Sequence, residues 1–324
     1  MLRLGKLDND DLDRLVLKKF RRVRPESLSS PTIGQDCAVV DIGSDLLVLS
    51  CDPITSASVA HLGRLTVHVS CNDAAAAGAE PVGLLVTLLM PPSGTMEQIA
   101  LIADDLSAAA QLANVDILGG HTEITDAVTR AVTSATVIAR QPRNQALCGM
   151  RPGDEIVMTK WAALEGTTIL AEDFVDRLST VPTELLDAAR TLTGSLSIVP
   201  ESRIAMQFGA VAMHDVTEGG VLGAGWELGY ANACAVEIDS AKIPVREETR
   251  ALCEALSLDP LRLIGSGSLL IACKDGKTLC TALERSGIAA AVIGKAIEGK
   301  LSFVDGQPLD EPHADELYRL YAQQ

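Results

Sequence analysis

The feature that most constrains the fold is the alternation of short apolar strands with amphipathic helices along the whole chain. Residues 8–20 place apolar side chains at helical spacing after an aspartate cap, which predicts an opening helix. Two strands, a helix, a strand, a helix and two more strands are predicted after it. The second half alternates in the same way, so each half is expected to form an α/β or α+β domain.

Length and turn chemistry predict two domains. A chain of 324 residues exceeds the usual size of a single hydrophobic core. The segment QPRNQALCGMRPGD is polar and rich in turn residues, which favours a domain boundary near residue 150. The predicted domains are therefore residues 1–150 and 151–324.

Individual elements of the first half can also be predicted. Strands are expected on both sides of a turn at 43–45, with Asp36 before the first strand and Asp52 directly after the second. A helix should end at Gly78, and Thr95 with Gln98 forms a capping-box signature that opens another helix. The segment VDILGGHTE predicts a strand that ends in a glycine turn.

Composition argues against several classes of protein. The formal net charge of −16 would repel phosphate backbones, so no nucleic-acid partner is expected. No apolar run approaches the ~18–20 residues of a membrane span, and the acidic start MLRLGKLDNDD is unlike a signal peptide. These observations predict a cytoplasmic protein with no membrane partner. Eight cysteines without a C-x-x-C pair favour reduced thiols, and Cys37, Cys51 and Cys71 are expected to be core packing residues.

Acidic residues beside strand ends and glycines carry the chemical signal. They are Asp36, Asp52, Asp73, Glu123, Asp215 and Glu218. Burying carboxylates is unfavourable unless something pairs with them, and Mg²⁺ prefers such hard oxygen ligands together with substrate phosphates. The segments GGHTE and TEGG offer flexible backbone N–H groups for phosphate oxygens, and the second leads into a helix N-terminus. A phosphate and Mg²⁺ site is predicted.

The familiar nucleotide motifs are missing. The chain has no G-x-x-x-x-G-K-[ST], and GSGS at Gly265–Ser268 lacks the third glycine of G-x-G-x-x-G. The ordered set GQDCAVV, SCDP, SCNDAAAAGAEP, GGHTE, HDVTEGG and GSGSLL instead resembles the PurM-like superfamily of aminoimidazole ribonucleotide synthetase-related proteins. The resemblance covers nearly the whole chain.

This resemblance implies an N-terminal domain that pairs with a second subunit into a dimeric β-barrel, a C-terminal α/β domain, and ATP with Mg²⁺ as cofactors. Carried over position by position, the implied metal ligands are Asp36, Asp52, Asp73 and Asp215. The implied nucleotide-binding residues are Asn72, Gly119, Gly120, Thr122, Thr217, Gly219 and Gly220. The predicted catalytic residues are Glu123, Glu218, His121 and His214.

The resemblance is closest to the hydrogenase-maturation branch, through EGTTILAEDF, HDVTEGG and GSGSLL. That branch carries its substrate on a C-terminal cysteine, whereas this sequence ends DELYRLYAQQ and its last cysteine is Cys280. The expected activity is ATP-dependent activation of an oxygen or amide of an unidentified small-molecule or protein acceptor. A small-molecule kinase resembling thiamine-monophosphate kinase and a non-catalytic nucleotide-binding maturation or regulatory factor are the alternatives.

Some residues keep two interpretations. His121 stands where kinase-like members resemble GGDT, and it either contacts phosphate or substrate or is satisfied by backbone in a tight turn. His214 has the same two interpretations. Lys160, Trp161 and Glu165 either face a cleft or form a surface turn.

Overall fold

The computed structural model describes residues 9–19, 23–29, 32–55 and 57–321. The helices within these residues are α1 Asn9–Leu15, α2 Leu62–Ala76, α3 Met96–Ala113, α4 Leu164–Asp173, α5 Thr183–Thr191, α6 Val199–Gln207, α7 Gly220–Ala231, α8 Glu247–Leu256, α9 Gly276–Arg285 and α10 Glu316–Tyr321. The strands are β1 Ala38–Asp41, β2 Asp45–Ile54, β3 Glu80–Met90, β4 Asp116–Ile124, β5 Val132–Pro142, β6 Glu155–Thr159, β7 Ala212–Asp215, β8 Ala235–Ile238, β9 Leu269–Cys273, β10 Ala290–Ile297, β11 Phe303–Val304 and β12 Gln307–Pro308.

The chain divides into two compact units. The N-unit holds Arg22–Ser30 and Asp36–Ala146, and the C-unit holds Met1–Arg21, Pro31–Gln35 and Leu147–Gln324, in both cases as far as the structure describes them. The opening helix forms over Asn9–Leu15 and continues as a 3₁₀ turn to Lys19. The ends of its predicted range, residues 8 and 20, lie outside the described residues.

The N-unit is a five-stranded sheet with two helices on one face. Its strand order is β1-β2-β5-β3-β4, in which only β3 and β4 are parallel. Alternate residues of the central strands are buried, among them Val48, Leu84 and Val137, as expected when one face of a sheet packs on the core. We call this face, which packs against α2 and α3, the helix face, and the opposite side the open face.

The predicted capping box is confirmed at the start of α3. The Thr95 hydroxyl accepts a hydrogen bond from the Gln98 backbone at 3.2 Å, and the Gln98 side chain accepts one from the Thr95 backbone at 3.1 Å. Helix α2 likewise ends before Gly78, which has φ +75°. Both helix boundaries therefore follow from local chemistry.

Strand β2 is longer than predicted and contains Asp52. Its ladder with β5 continues to the pair Ile54–Thr133, so Asp52 belongs to the strand and does not follow it. Because the side-chain period of a strand is two, Ser50 and Asp52 point to the same face. Cys51, which lies between them, points to the open face.

The predicted glycine turn after β4 is wrong. Strand β4 runs through Gly119 and Gly120 to Ile124, parallel to β3. A register shift between Leu84 and Leu85 precedes the glycines. A Cβ on Gly120 would lie 1.8 Å from the Val86 carbonyl oxygen, so glycine is required here for strand packing. The glycine pair therefore lets the strand continue after a bulge.

The C-unit is built on a seven-stranded mixed sheet. The strand order is β12-β11-β8-β10-β6-β9-β7, with one parallel pair, β8 with β11. One core cluster joins strand residues such as Ile156 and Leu270 to α7 through Val221 and Leu228. A second cluster joins α4, α5, α8 and α10. None of the helices in the described part of the chain has the length and apolar character needed to cross a membrane.

Candidate functional site

Two predicted metal ligands converge in the N-unit on one hydroxyl group. Ser50 Oγ lies 3.1 Å from Asp52 Oδ2 and also contacts Asp73 Oδ2. Asp73 comes from α2, and both Asp73 and Ser50 are 6% exposed. A hydroxyl has a single hydrogen to donate, so it cannot satisfy both carboxylates at once. The two carboxylates are therefore held close together around a single hydroxyl donor.

The residues that precede Asp73 on α2 are buried as well. Asn72 is 1% exposed beside Asp73 in α2. Cys71 is also buried, and burial raises the pKa of its thiol to about 12, with the Asp73 charge acting in the same direction. Core packing is thus confirmed for Cys71 and for the buried Cys37. It is wrong for Cys51, which is exposed on the open face, 3.6 Å from Ser134 Oγ.

His121 and Glu123 lie on the other face of the same sheet. Strand pairing places Asp52 in one row with Ala135, Val86 and Gly120. His121, one residue further along β4, therefore points to the open face. Its Nε2 lies 3.4 Å from Glu123 Oε2, and both side chains are more than half exposed. The tight-turn interpretation of His121 is wrong, since the residue lies inside a strand.

The remaining N-unit candidates are exposed. Asp36 precedes β1, and Thr122 lies on β4 between the two open-face residues. Gly119 is exposed as well and has φ +152°. Their predicted contacts with nucleotide and metal stay predictions.

The C-unit candidates begin at the end of β7. His214 and Asp215 are 7% and 2% exposed. His214 Nδ1 lies 2.7 Å from the Asp215 carbonyl oxygen and its Nε2 lies 3.6 Å from Glu227 Oε2. Because a carbonyl only accepts, Nδ1 carries the hydrogen. The imidazole is thus oriented by backbone on one side and faces a carboxylate of α7 on the other.

The turn Thr217–Gly220, which we call the TEGG turn, is fixed by hydrogen bonds within the protein. The Gly219 N–H donates to Asp315 Oδ2 at 2.8 Å, and the Gly220 N–H donates to the Thr217 carbonyl at 3.1 Å. Gly220 has φ +63°, and a Cβ there would lie 2.5 Å from the Leu261 carbonyl oxygen. Because both N–H groups already donate within the protein, the turn does not present them as free donors to a phosphate. The phosphate role of Gly219 and Gly220 stays a prediction.

The segment leading into α10 supports the same turn. Tyr318 donates its hydroxyl hydrogen to Glu218 Oε1 at 3.0 Å. Asp315 is 2% exposed, and burial raises the pKa of its carboxyl to about 6 even though the N–H groups of Leu317, Gly219 and Ile264 oppose the shift. Glu218 is therefore held by a side chain that sequence patterns did not single out.

Residues at the start of the second half are not a surface turn. Lys160 is largely buried and donates to the carbonyls of Ser195, Ser197 and Gly267 at 2.9, 2.6 and 2.8 Å. Trp161 stacks against the Arg246 guanidinium, 4.7 Å from the ring centroid. The surface-turn interpretation is therefore wrong.

Ser50, Asp315 and Tyr318 were missed by sequence reasoning. Ser50 had a usable signal, because it precedes Asp52 by two positions in a strand and so shares its face. Asp315 and Tyr318 had none, since their roles depend on where the last helix packs.

Fold and site together define a two-domain α/β protein with carboxylate-rich sites at strand and helix junctions. Residues 34–140 match the N-terminal domain of AIR synthase related proteins, and residues 151–306 match the C-terminal domain of the same family. The chain belongs to the AIR synthase related protein family, with the PurM-like α/β fold that the sequence predicted.

The chain is similar to carbamoyl dehydratase HypE of Azotobacter vinelandii, at 29% identity over 75% of this chain and 72% of the relative. HypE of Escherichia coli K12 is 27% identical over 80% of this chain and 79% of its own length.

Solved structures share the fold. The crystal structure of E. coli HypE superposes with a TM-score of 0.75 at 24% identity, covering 96% of this chain and 99% of that one. A HypE complex with ATP gives 0.70 at 20% identity, covering 94% and 92%. Thiamine monophosphate kinase of Aquifex aeolicus gives 0.71 at 18% identity, covering 96% and 100%.

Proposed function

We propose that this protein is an ATP- and Mg²⁺-dependent enzyme of the HypE type, which activates an oxygen or amide of an acceptor for loss of water. The observation that carries the proposal is the pair of carboxylates, Asp52 and Asp73, held on the Ser50 hydroxyl. Family membership supports it, because relatives with the same two domains are named carbamoyl dehydratases.

The residues present fit a magnesium ion. Asp52 and Asp73 supply carboxylate oxygens, and Ser50 supplies a hydroxyl oxygen, all of the hard type that Mg²⁺ binds. The ion normally takes only one or two carboxylates and completes its shell with waters and substrate phosphates. When bound, Mg-ATP would supply a polarised γ-phosphoryl group. Asp36 and Asp215 remain proposed metal ligands.

The chain's own residues would position the acceptor. The Tyr318 hydroxyl holds one oxygen of Glu218, which leaves its other oxygen to orient the acceptor or receive a proton. His214, oriented through Nδ1 and facing Glu227 through Nε2, is proposed as a catalytic residue. His121 and Glu123, which lie on the open face, remain proposed catalytic residues.

Product analysis tests the proposal. We expect the protein, incubated with Mg-ATP and candidate carboxamides, to form ADP and free phosphate in equal amounts together with a dehydrated acceptor. Because HypE has been solved in complex with HypF, protein-bound acceptors belong among the candidates. ADP with a phosphorylated acceptor would instead establish the kinase alternative. Nucleotide binding without turnover for every acceptor would favour a regulatory factor and contradict the proposal.

A homodimer is proposed from the open face of the N-unit. All nine residues of the edge strand β4 are exposed. An apolar side chain is exposed on this face at Leu85 (45%), and Leu118 (51%) and Ile124 (62%) are exposed along the edge strand β4. An exposed sheet edge with apolar residues is prone to pair with another chain. A second copy of this chain is the proposed occupant, as the family resemblance implies.

Light scattering at micromolar concentration is expected to give twice the mass of one chain. Leu85→Arg should shift the protein to monomer, because it places a charge on the apolar open face. Leu112→Arg is the matched control, since Leu112 is 84% exposed on α3, away from that face. A monomeric mass for the unmodified protein would contradict the dimer.

A further inference from the structure

Helices α6 and α9 border a groove on the C-unit that contains none of the candidate site residues. Its volume is about 510 Å³, and it is lined by the last turn of α6, the residue that follows α6, and one side of α9. Most of the lining side chains are exposed, so this is a surface groove and not an enclosed cavity. Small-molecule sites bury most of their ligand. An open groove is better suited to a segment of a larger partner.

Phe208 gives the groove an exposed aromatic side chain. It is 47% exposed, whereas Phe174 in the same unit is 2% exposed. The Phe208 N–H donates to the carbonyls of Ile204 and Ala205, at 3.1 Å each, so the end of α6 fixes the backbone that carries the ring. Ile204 also lines the groove and is partly exposed. Aromatic side chains are enriched where proteins bind one another, which favours Phe208 as a contact for a partner.

Two cations line the groove from opposite ends of α9. Lys277 lies in the first turn and Arg285 in the last, about 12 Å apart along the helix axis. Neither forms a salt bridge with a described residue. Arg285 is favourable at a helix C-terminus, whereas the helix dipole opposes a cation in the first turn. The stability of α9 therefore does not explain Lys277.

The acids near these cations lie outside the groove. Asp275 caps α9, because it accepts hydrogen bonds from the Thr278 N–H at 3.0 Å and from the Thr278 hydroxyl at 2.8 Å. Glu284 precedes Arg285, and successive side chains of a helix point about 100° apart. No carboxylate of the described residues lines the groove, although the whole chain has a net charge of −16. The groove is therefore a basic and partly apolar surface on an acidic protein.

We propose that this surface, the α6–α9 groove, docks a segment of a partner protein in which an apolar side chain lies between two carboxylates. The apolar side chain packs on Phe208 and Ile204, and the carboxylates pair with Lys277 and Arg285. Complementary charge draws in such a segment and disfavours basic ones. A free anion would leave Phe208 uncovered, and the net charge of the protein repels nucleic acid. This docking goes beyond the proposed function and does not depend on it.

Selection from a library of displayed random peptides tests the groove without assuming a partner. The whole protein is the target, and peptides that also bind the Lys277→Glu/Arg285→Glu variant are removed. Both changes are at exposed positions, so the variant should keep its fold, which circular dichroism checks. We expect the surviving peptides to carry Asp or Glu on both sides of a large apolar residue. No survivors, or survivors without that pattern, would overturn the proposal.

A synthetic copy of a surviving peptide gives the affinity by fluorescence anisotropy. Phe208→Ala and the double charge reversal should each weaken binding by about tenfold. The matched controls are Leu301→Ala, at a side chain 53% exposed, and Arg250→Glu/Lys300→Glu, which changes the net charge equally at exposed positions outside the groove. Neither control should alter the affinity. An equal loss in the charge control would assign binding to overall charge and overturn the proposal. Unchanged affinity in Phe208→Ala would reduce the groove to an anion site and overturn it as well.

Discussion

Asp73→Asn is expected to weaken Mg-ATP binding by about 100-fold or more, because it removes a carboxylate ligand while keeping the shape of the side chain. The asparagine oxygen can still accept a hydrogen bond from Ser50, so the packing around α2 is retained. Calorimetric titration with a non-hydrolysable ATP analogue, with and without Mg²⁺, measures the effect. The loss should be confined to the Mg²⁺-dependent part of the affinity.

The free energy of unfolding distinguishes a role of Asp73 as a metal ligand from a structural role. Without Mg²⁺, Asp52 and Asp73 repel each other across Ser50, so Asp73→Asn should leave the free energy of unfolding unchanged or increase it. A structural role would instead make the variant less stable. Asp104→Asn, an exposed change on α3 of the same unit, is the control for loss of one charge. Unchanged nucleotide affinity in Asp73→Asn would contradict the metal assignment.

Local patterns predicted much of the N-unit because its elements are specified by neighbours in sequence. The Thr95–Gln98 cap and the Gly78 helix end each depend on chemistry within a few residues. Strand β4 was mistaken because Gly119 and Gly120 resemble a turn. Only the approach of Val86 to Gly120 shows why glycine is needed inside that strand.

The site was harder to predict because it depends on packing between distant segments. Sequence identified Asp52 and Asp73 separately, but their meeting at Ser50 requires α2 to lie on one particular face of the sheet. The TEGG turn was expected to offer free N–H groups, whereas Asp315 reaches Gly219 from the last part of the described chain. Residues so far apart in the sequence, such as Gly219 and Asp315, leave no local pattern that would predict their contact.

Lys160→Met is expected to destabilise the protein by about 3–5 kcal/mol, the usual effect of breaking a buried ion pair from one side. Lys160 pairs with Glu201, whose side chain is 1% exposed, and its ammonium also donates to three backbone carbonyls. Burial lowers the pKa of Lys160, and Glu201 counteracts this. Methionine would leave the Glu201 charge buried without a cation. Urea unfolding should show a lower midpoint at an unchanged m value.

The double variant Lys160→Met/Glu201→Leu decides which part of the loss is electrostatic. Removing the unpaired Glu201 carboxylate should recover much of the lost free energy of unfolding, because an apolar pair of similar volume often replaces a buried ion pair without penalty. Recovery should stay incomplete, since the carbonyls of Ser195, Ser197 and Gly267 still lack their donor. Lys242→Met, which breaks an exposed pair with Asp239 at 3.1 Å, should cost less than about 1 kcal/mol. If Lys160→Met were as mild as this surface control, Lys160 would not be what joins the Ser195–Ser197 segment to the turn at Gly267.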